Sequence, residues 1–487
     1  MAEASLRKFQ PTAANPWSRS KAAHLLNRAG FGGTPGEITR LAGMRFEAAV
    51  DELLNYEQTA EVAFPDVDFS ALRDLYATAL RLRRERADQR TLRELANQIN
   101  RLNRLKFQEL RANWIGRMIQ TKRPLLEKMV LFWHGFLVSG FPETRASEHM
   151  AMQLDLFRRM AAGNFKELIL AISRDPAMLS YLDNNSNRKG RPNENYAREL
   201  LELFTMGIGN YTEQDIKEAA RAFTGWTFAG NDFVFLRNQH DDAPKTFLGR
   251  TGNWDGTDII NIVFEQTATA RFLPRRLWEF FAYLGPEESL VEELAGAFKR
   301  SNWEIRPLLR AIFQSEAFYS ERGLRAQIKS PAQLVVGAAR LTTAEIPELG
   351  LARAMDLMGQ VLLYPPNVGG WPKGPGWVNT ATMLVRYNFS NLLVSGTMPG
   401  VGRQRQASAR VDHLIDAGKV RTAGDVIDQL VDRFIQSPLD GRRRWGLLRA
   451  FGTNREDTPI TLEGARGQEQ LRSAVHLIMS MPEFQLH

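Results

Sequence analysis

The twelve residues from Asp183 to Glu194, DNNSNRKGRPNE, place oxygen-bearing side chains where a calcium loop places its ligands. Asp183, Asn185 and Asn187 stand at the first, third and fifth places, and Glu194 stands at the twelfth, where a carboxylate closes the coordination sphere. Two positions depart from that pattern. Arg188 occupies the place of the turn glycine, and Gly190 the place of an apolar residue. Only two carboxylates are offered, beside Lys189 and Arg191, so the competing reading is a polar turn in which Asp183 and Asn185 cap backbone amides. Ca2+ is the one cofactor that the sequence puts forward.

The segment that follows, NYARELLELF, has helical spacing, with Glu194, Arg198 and Glu202 four apart and Glu199 and Glu202 three apart. Neighbouring carboxylates can share a proton and do acid-base work, while an arginine beside them holds one ionised. An exposed Glu-Arg-Glu ladder is the plainer alternative. Glu218 and Arg221 come within a few turns, and NQHDDAPKTFLG then groups His240, Asp241, Asp242 and Lys245. Histidine beside aspartate makes an acid-base or ligand unit when the side chains meet, because the carboxylate fixes the imidazole tautomer. His24 and His134 lie on apolar helical faces and read as core groups. The stretch YPPNVGGWPKGPGWVNT, from Tyr364 to Thr380, is too rich in proline and glycine to be helical. Its Trp371 and Trp377 either wall a concave site or pin the loop to the helical body. The catalytic candidates are therefore Glu194, Glu199, Glu202, His240 and Asp241, and the substrate-binding candidates are Arg198, Arg221, Lys245, Trp371 and Trp377. Asp183, Asn185, Asn187 and Glu194 are the metal candidates.

Helices must position these groups. Apolar residues recur at three and four along SKAAHLLNRAG, FEAAVDELLNY, PLLEKMVLFWHGFLV, FKELILAISR and RFLPRRLWEFFAYL, which predicts an all-α, irregular helical array. A single long charged helix is expected through LYATALRLRRERADQRTLRELANQINRLNRLKFQELRANWIGRMIQ. Strand signals are confined to FVFLRNQ and KTFL, expected to pair as one small hairpin near residues 232–248. The expected divisions are an N-terminal helical region (1–120), a core domain (121–394), a linker (395–410) and a C-terminal helical region (411–487).

Composition narrows the function. The chain has 487 residues, 44% hydrophobic and 24% charged, as globular proteins do. With no cysteine, disulfides, thiolate metal sites and cysteine nucleophiles are excluded. A net charge of +8 is mild, and its densest run interleaves acids with arginines, so no nucleic-acid partner is expected. Neither a signal peptide nor a membrane-spanning run is visible. Walker, GxGxxG, GxSxG, HExxH and haem-attachment motifs are missing, so nucleotide, flavin and haem are not expected.

In order, HLLNRAGFGGTP, EKMVLFWHGFLVS, the block from DPAMLSYLDNN to FTGW, HDDAPKTFLG, KSPAQLVVGAAR and PPNVGGWPKGPGWVNT resemble the large bacterial family of unknown function named DUF1800, from about His24 to Phe389. The resemblance implies a mostly helical fold. For many members it also implies export, a periplasmic or secreted location, and a gene neighbour that looks phosphatase- or sulfatase-like. By matching position it marks His24, His134, Asp183, Asn193, Glu194, Arg198, Glu199, Glu202, Glu218, Arg221, His240, Asp241, Lys245 and Trp371. Many relatives read F-W-H-x-H where this chain has Phe132, Trp133, His134, Gly135 and Phe136, so the resemblance carries no two-histidine site here. The expectation is a hydrolase or lyase acting on an exported or cell-surface substrate such as a glycan. The alternative is a non-catalytic binding or assembly partner of the neighbouring gene's product.

Overall fold

The computed structural model describes residues 6–343, 346–398, 402–403 and 411–487. It is mainly helical, as the periodicity requires. One apolar core runs from Phe9 to Phe484 and passes through the N-terminal, central and C-terminal regions alike. Arg19 reaches across the molecule to Asp432 at 2.6 Å, and Ile328 forms a β-bridge with Leu486. The linker expected over 395–410 lies largely outside the described residues.

Two local expectations are corrected. The long charged helix is two helices, Ser70–Arg84 and Gln89–Gln120, packed side by side. Arg86 turns into the left-handed region, and Asp88 then caps the second helix by accepting from the amides of Arg90 and Thr91, both at 2.9 Å. That side-chain cap outweighs the continuous periodicity. Phe69, Leu72, Leu95 and Ile99 form a small core of their own between the pair. The hairpin is likewise two hairpins. Asp232–Phe235 pairs with Trp226–Ala229 across Gly230 and Asn231, while Lys245–Phe247 pairs with Arg250–Gly252. Short local turns close each ribbon, so the two strand-like segments never meet.

The helix Pro124–Phe136 is the central strut. Proline opens its first turn, and Leu125 and every residue from Glu127 to His134 are buried. Onto its end lies the irregular segment from Tyr364 to Asn379, which Asn379 terminates by capping the helix Thr380–Ser395 through the Thr382 amide, 2.9 Å away. The approach needs glycine on both sides. A Cβ on Gly135 would stand 3.1 Å from the Trp371 ring, and one on Gly370, whose φ is +86°, would stand 2.2 Å from the Gly135 carbonyl oxygen. Gly370→Ala should therefore destabilise the protein by more than about 1 kcal/mol, read as a lower urea midpoint, because strain at positive φ adds to a backbone clash.

Candidate functional site

The loop from Asp183 to Glu194 is braced by one side chain. Asn187, 2% exposed, donates from Nδ2 to the Ala220 carbonyl (2.9 Å) and to Asn184 Oδ1 (3.1 Å), and its Oδ1 accepts from the Asn193 amide (2.9 Å). Its own carbonyl accepts from the Gly225 amide at 2.9 Å. Asp183 and Asn185 are exposed, with Asp183 at φ 56° and in reach of Asn195 Nδ2 at 3.4 Å. Glu194 is drawn to Arg198 at 3.2 Å. Asn187 thus serves the turn and Glu194 an ion pair, and among the described residues no group of three or more histidine, aspartate or glutamate side chains is placed to share a metal ion.

The catalytic candidates fall into separate groups. Arg198 holds Glu213 in a two-pronged pair, 2.8 Å on each prong, as well as Glu194. Arg221 holds Asp241 and Glu218, both at 2.7 Å, and the pairing keeps the Asp241 carboxyl below its usual range. Lys245, almost fully buried, donates to the carbonyls of Asp241 and Ala243, and burial lowers its ammonium pKa. His240 Nδ1 donates to the Thr224 carbonyl at 2.9 Å with its ring against Phe235. This constellation ties the end of the helix Glu213–Ala222 to both hairpins, with its charges already engaged.

Glu199 and Glu202 are different. The helix Asn195–Glu199 widens into a π-turn over Leu200–Thr205, a form that tends to mark functional sites. Burial, and then the nearby Glu202, raise the pKa of Glu199 against the opposing pull of Arg198. Glu202 accepts from the Tyr211 hydroxyl at 3.2 Å. Burial, with Glu143 and Glu199 close by, pushes the Tyr181 phenol up to about 12.

From the same π-turn, Leu203 reaches the wall of a cavity of about 220 Å³ that sequence reasoning had only half located. Trp371 and Trp377 line it, as expected of platforms, together with Phe132, Phe136 and Phe280. None of the five catalytic candidates does. Its charged groups are Arg276, Glu279 and Lys373, with Lys373 Nζ 3.4 Å and Arg276 Nη1 3.9 Å from Glu279 Oε2. Surrounding apolar walls, then Arg276, lower the Lys373 pKa, although half of its side chain still meets water, which moderates the shift. A signal for Lys373 was present, since it stands between the two tryptophans in WPKGPGW. Arg276 and Glu279, three apart in RFLPRRLWEFF, gave none beyond a solvated helical face.

Behind Trp371 stands His134, fully buried, its ring 5.3 Å from that indole and 5.7 Å from Trp114. Neither ring nitrogen has a hydrogen-bond partner among the described residues, and burial takes the imidazole pKa down to about 3.

Two outcomes follow. Asn187→Ala should cost about 2 kcal/mol in urea melts, since it strands the Ala220 carbonyl and the Asn193 amide. For His134, the unfolded chain binds a proton near pH 6.5 that the folded protein refuses until about 3. The stability contribution of its neutral form is complete above pH 6.5 and is lost as pH falls toward 3. His134→Leu should make that acid-side loss smaller than in the wild type.

No curated protein and no solved structure matches the chain. The model of the family described as a protein of unknown function, DUF1800, matches residues 24–486, nearly the whole length, and the chain belongs to that family.

Proposed function

We propose that the protein is an enzyme of hydrolase or lyase type that acts outside the cytoplasm on a cell-surface glycan or a similar ring-bearing substrate, in the cavity of Trp371, Lys373 and Glu279. The observation that carries this is the meeting of two indoles, one carboxylate and two cations in a single opening. Indole faces suit the flat apolar side of a sugar ring. The Arg276 guanidinium can anchor an anionic group, whereas Lys373, whose pKa burial lowers, stands within reach of Glu279 as a partner for proton transfer.

Binding and turnover separate the parts. With oligosaccharides, including acidic ones, titrated against tryptophan emission, Trp371→Ala should weaken binding about tenfold or more. Glu279→Gln should bind within a few-fold of the wild type and turn over about 100-fold more slowly. Wild-type turnover in Glu279→Gln would remove the chemistry from this cavity, and wild-type binding in Trp371→Ala would remove the substrate.

A second reading, a binding or assembly partner for an exported phosphatase- or sulfatase-like protein, draws on the apolar face of the helix Thr380–Ser395. Met383, Leu384 and Tyr387 are exposed there, Leu384 at 60%, with the Tyr387 ring against His476 of the helix Gly464–Ser480. Leu384→Glu would abolish co-purification of such a partner under this reading and leave it unchanged under the first.

A further inference from the structure

The turn over residues 188–191, inside the polar block, sets two like charges face to face. Its ends form an antiparallel β-bridge, with the Arg191 amide donating to the Arg188 carbonyl at 2.9 Å and Gly190, at φ 78°, supplying the left-handed corner. Residues paired in this way stand on one face of the ribbon, and like charges directly opposite each other repel. Lys189 adds a third cation to the same four residues. Among the described residues, neither guanidinium makes a hydrogen bond or an ion pair. The carboxylates that flank the turn are engaged elsewhere, Glu194 with Arg198 and Asp183 with the Asn195 side-chain amide.

Both arginines, with Ser186, Pro192 and Asn193, line a cavity of about 220 Å³. No acid is among its walls, and its volume is well above the roughly 10–15 Å³ that admits one water. The Ser186 hydroxyl is turned away to the Asp183 carbonyl at 2.9 Å, whereas Asn193 Oδ1 accepts from the Asn195 amide at 3.0 Å, which leaves Asn193 Nδ2 as a further donor. The frame beneath is tied on both sides of the turn. Asn187 grips the Asn193 amide and the Ala220 carbonyl, and the Lys189 amide donates to the Gln239 carbonyl at 2.7 Å. Pro192 fixes one more backbone angle. A backbone held in this way presents its two guanidinium groups with little ordering left for a ligand to impose.

We propose that this cavity binds a doubly charged phosphate group, as a phosphate monoester or as inorganic phosphate, between Arg188 and Arg191. Guanidinium forks match the oxygens of phosphate in geometry. Their two charges match a monoester, which bears about −1.5 to −2 near pH 7, better than they match a singly charged diester. The bound anion also relieves the repulsion across the bridge. The site shares no lining residue with the cavity of Trp371 and does not depend on what that cavity holds.

Calorimetric titration of the full chain at constant ionic strength with inorganic phosphate, glucose 1-phosphate and dimethyl phosphate tests it. The first two should saturate a single site, and the singly charged diester should bind about tenfold more weakly or not at all. Tighter binding of glucose 1-phosphate assigns the site to a phosphorylated organic molecule, and equal binding assigns it to the free anion. Lowering the pH from about 7.5 to about 5 protonates the monoester, whose second pKa is near 6, and should weaken its binding several-fold. Arg188→Gln and Arg191→Gln should each weaken binding about fivefold or more, while Lys189→Gln, which leaves the cavity walls intact, should stay within about twofold. All three side chains are exposed, so these variants should melt with the wild type. Crystals soaked in tungstate, a tetrahedral dianion, give an independent readout, an anomalous peak between the two guanidinium groups. Heats that never saturate with phosphate would overturn the proposal, as would equal affinity for the diester. A loss in Lys189→Gln as large as in the arginine variants, or tungstate bound only at other surfaces, would overturn it too.

Discussion

A helix buried on nearly every side must find a partner for each polar atom it carries, and the helix Pro124–Phe136 lives under that constraint. Glu127 meets it by accepting from Trp114 Nε1 at 3.0 Å and from Arg158 Nε at 2.9 Å, which joins three helices through one carboxylate. Trp133 donates to the Ala161 carbonyl at 2.9 Å, and Lys128 to that of Gly30. Only His134 is left without a hydrogen bond, and it is held neutral between two indoles. The same helix lends Phe132, Gly135 and Phe136 to the large cavity, and so fixes its place.

The polar block from Asp183 to Lys245 does a different job. Its hairpins and loops cannot satisfy their backbone groups by regular pairing, so Asn187, Thr224, His240 and Lys245 satisfy them from side chains. Groups already committed to carbonyls and guanidinium ions are poorly placed to exchange protons with a substrate. The cavity of Trp371 has the opposite character, with apolar walls and few charges close together, an arrangement that favours recognition of a small molecule. Between the two lies the π-turn, which carries Leu203 to the cavity and leaves Glu199 and Glu202 beside Tyr211.

Much of the fold was legible because helical periodicity is written locally: the helices Pro124–Phe136 and Phe165–Ile172 stand where their apolar repeats place them. The break at Arg86 was not, since a continuous apolar repeat hid a cap by Asp88. Strand pairing failed for a related reason. Phe233 and Thr246 look alike as strand formers, and which partner each takes depends on turns two residues long. Among the residues lining the large cavity, Trp371 and Trp377 stand out in the composition of their loop, whereas Glu279 and Arg276 resemble any surface pair.

Recognition of small molecules in the cavity of Trp371 is tested most directly by soaking crystals of the full chain with a library of small ring compounds and sugars. Bound density is expected stacked on Trp371 or Trp377, with polar groups turned toward Lys373, Glu279 or Arg276. Density that gathers along Glu199 and Glu202 or around His240, with the indole-lined cavity left empty, would contradict it.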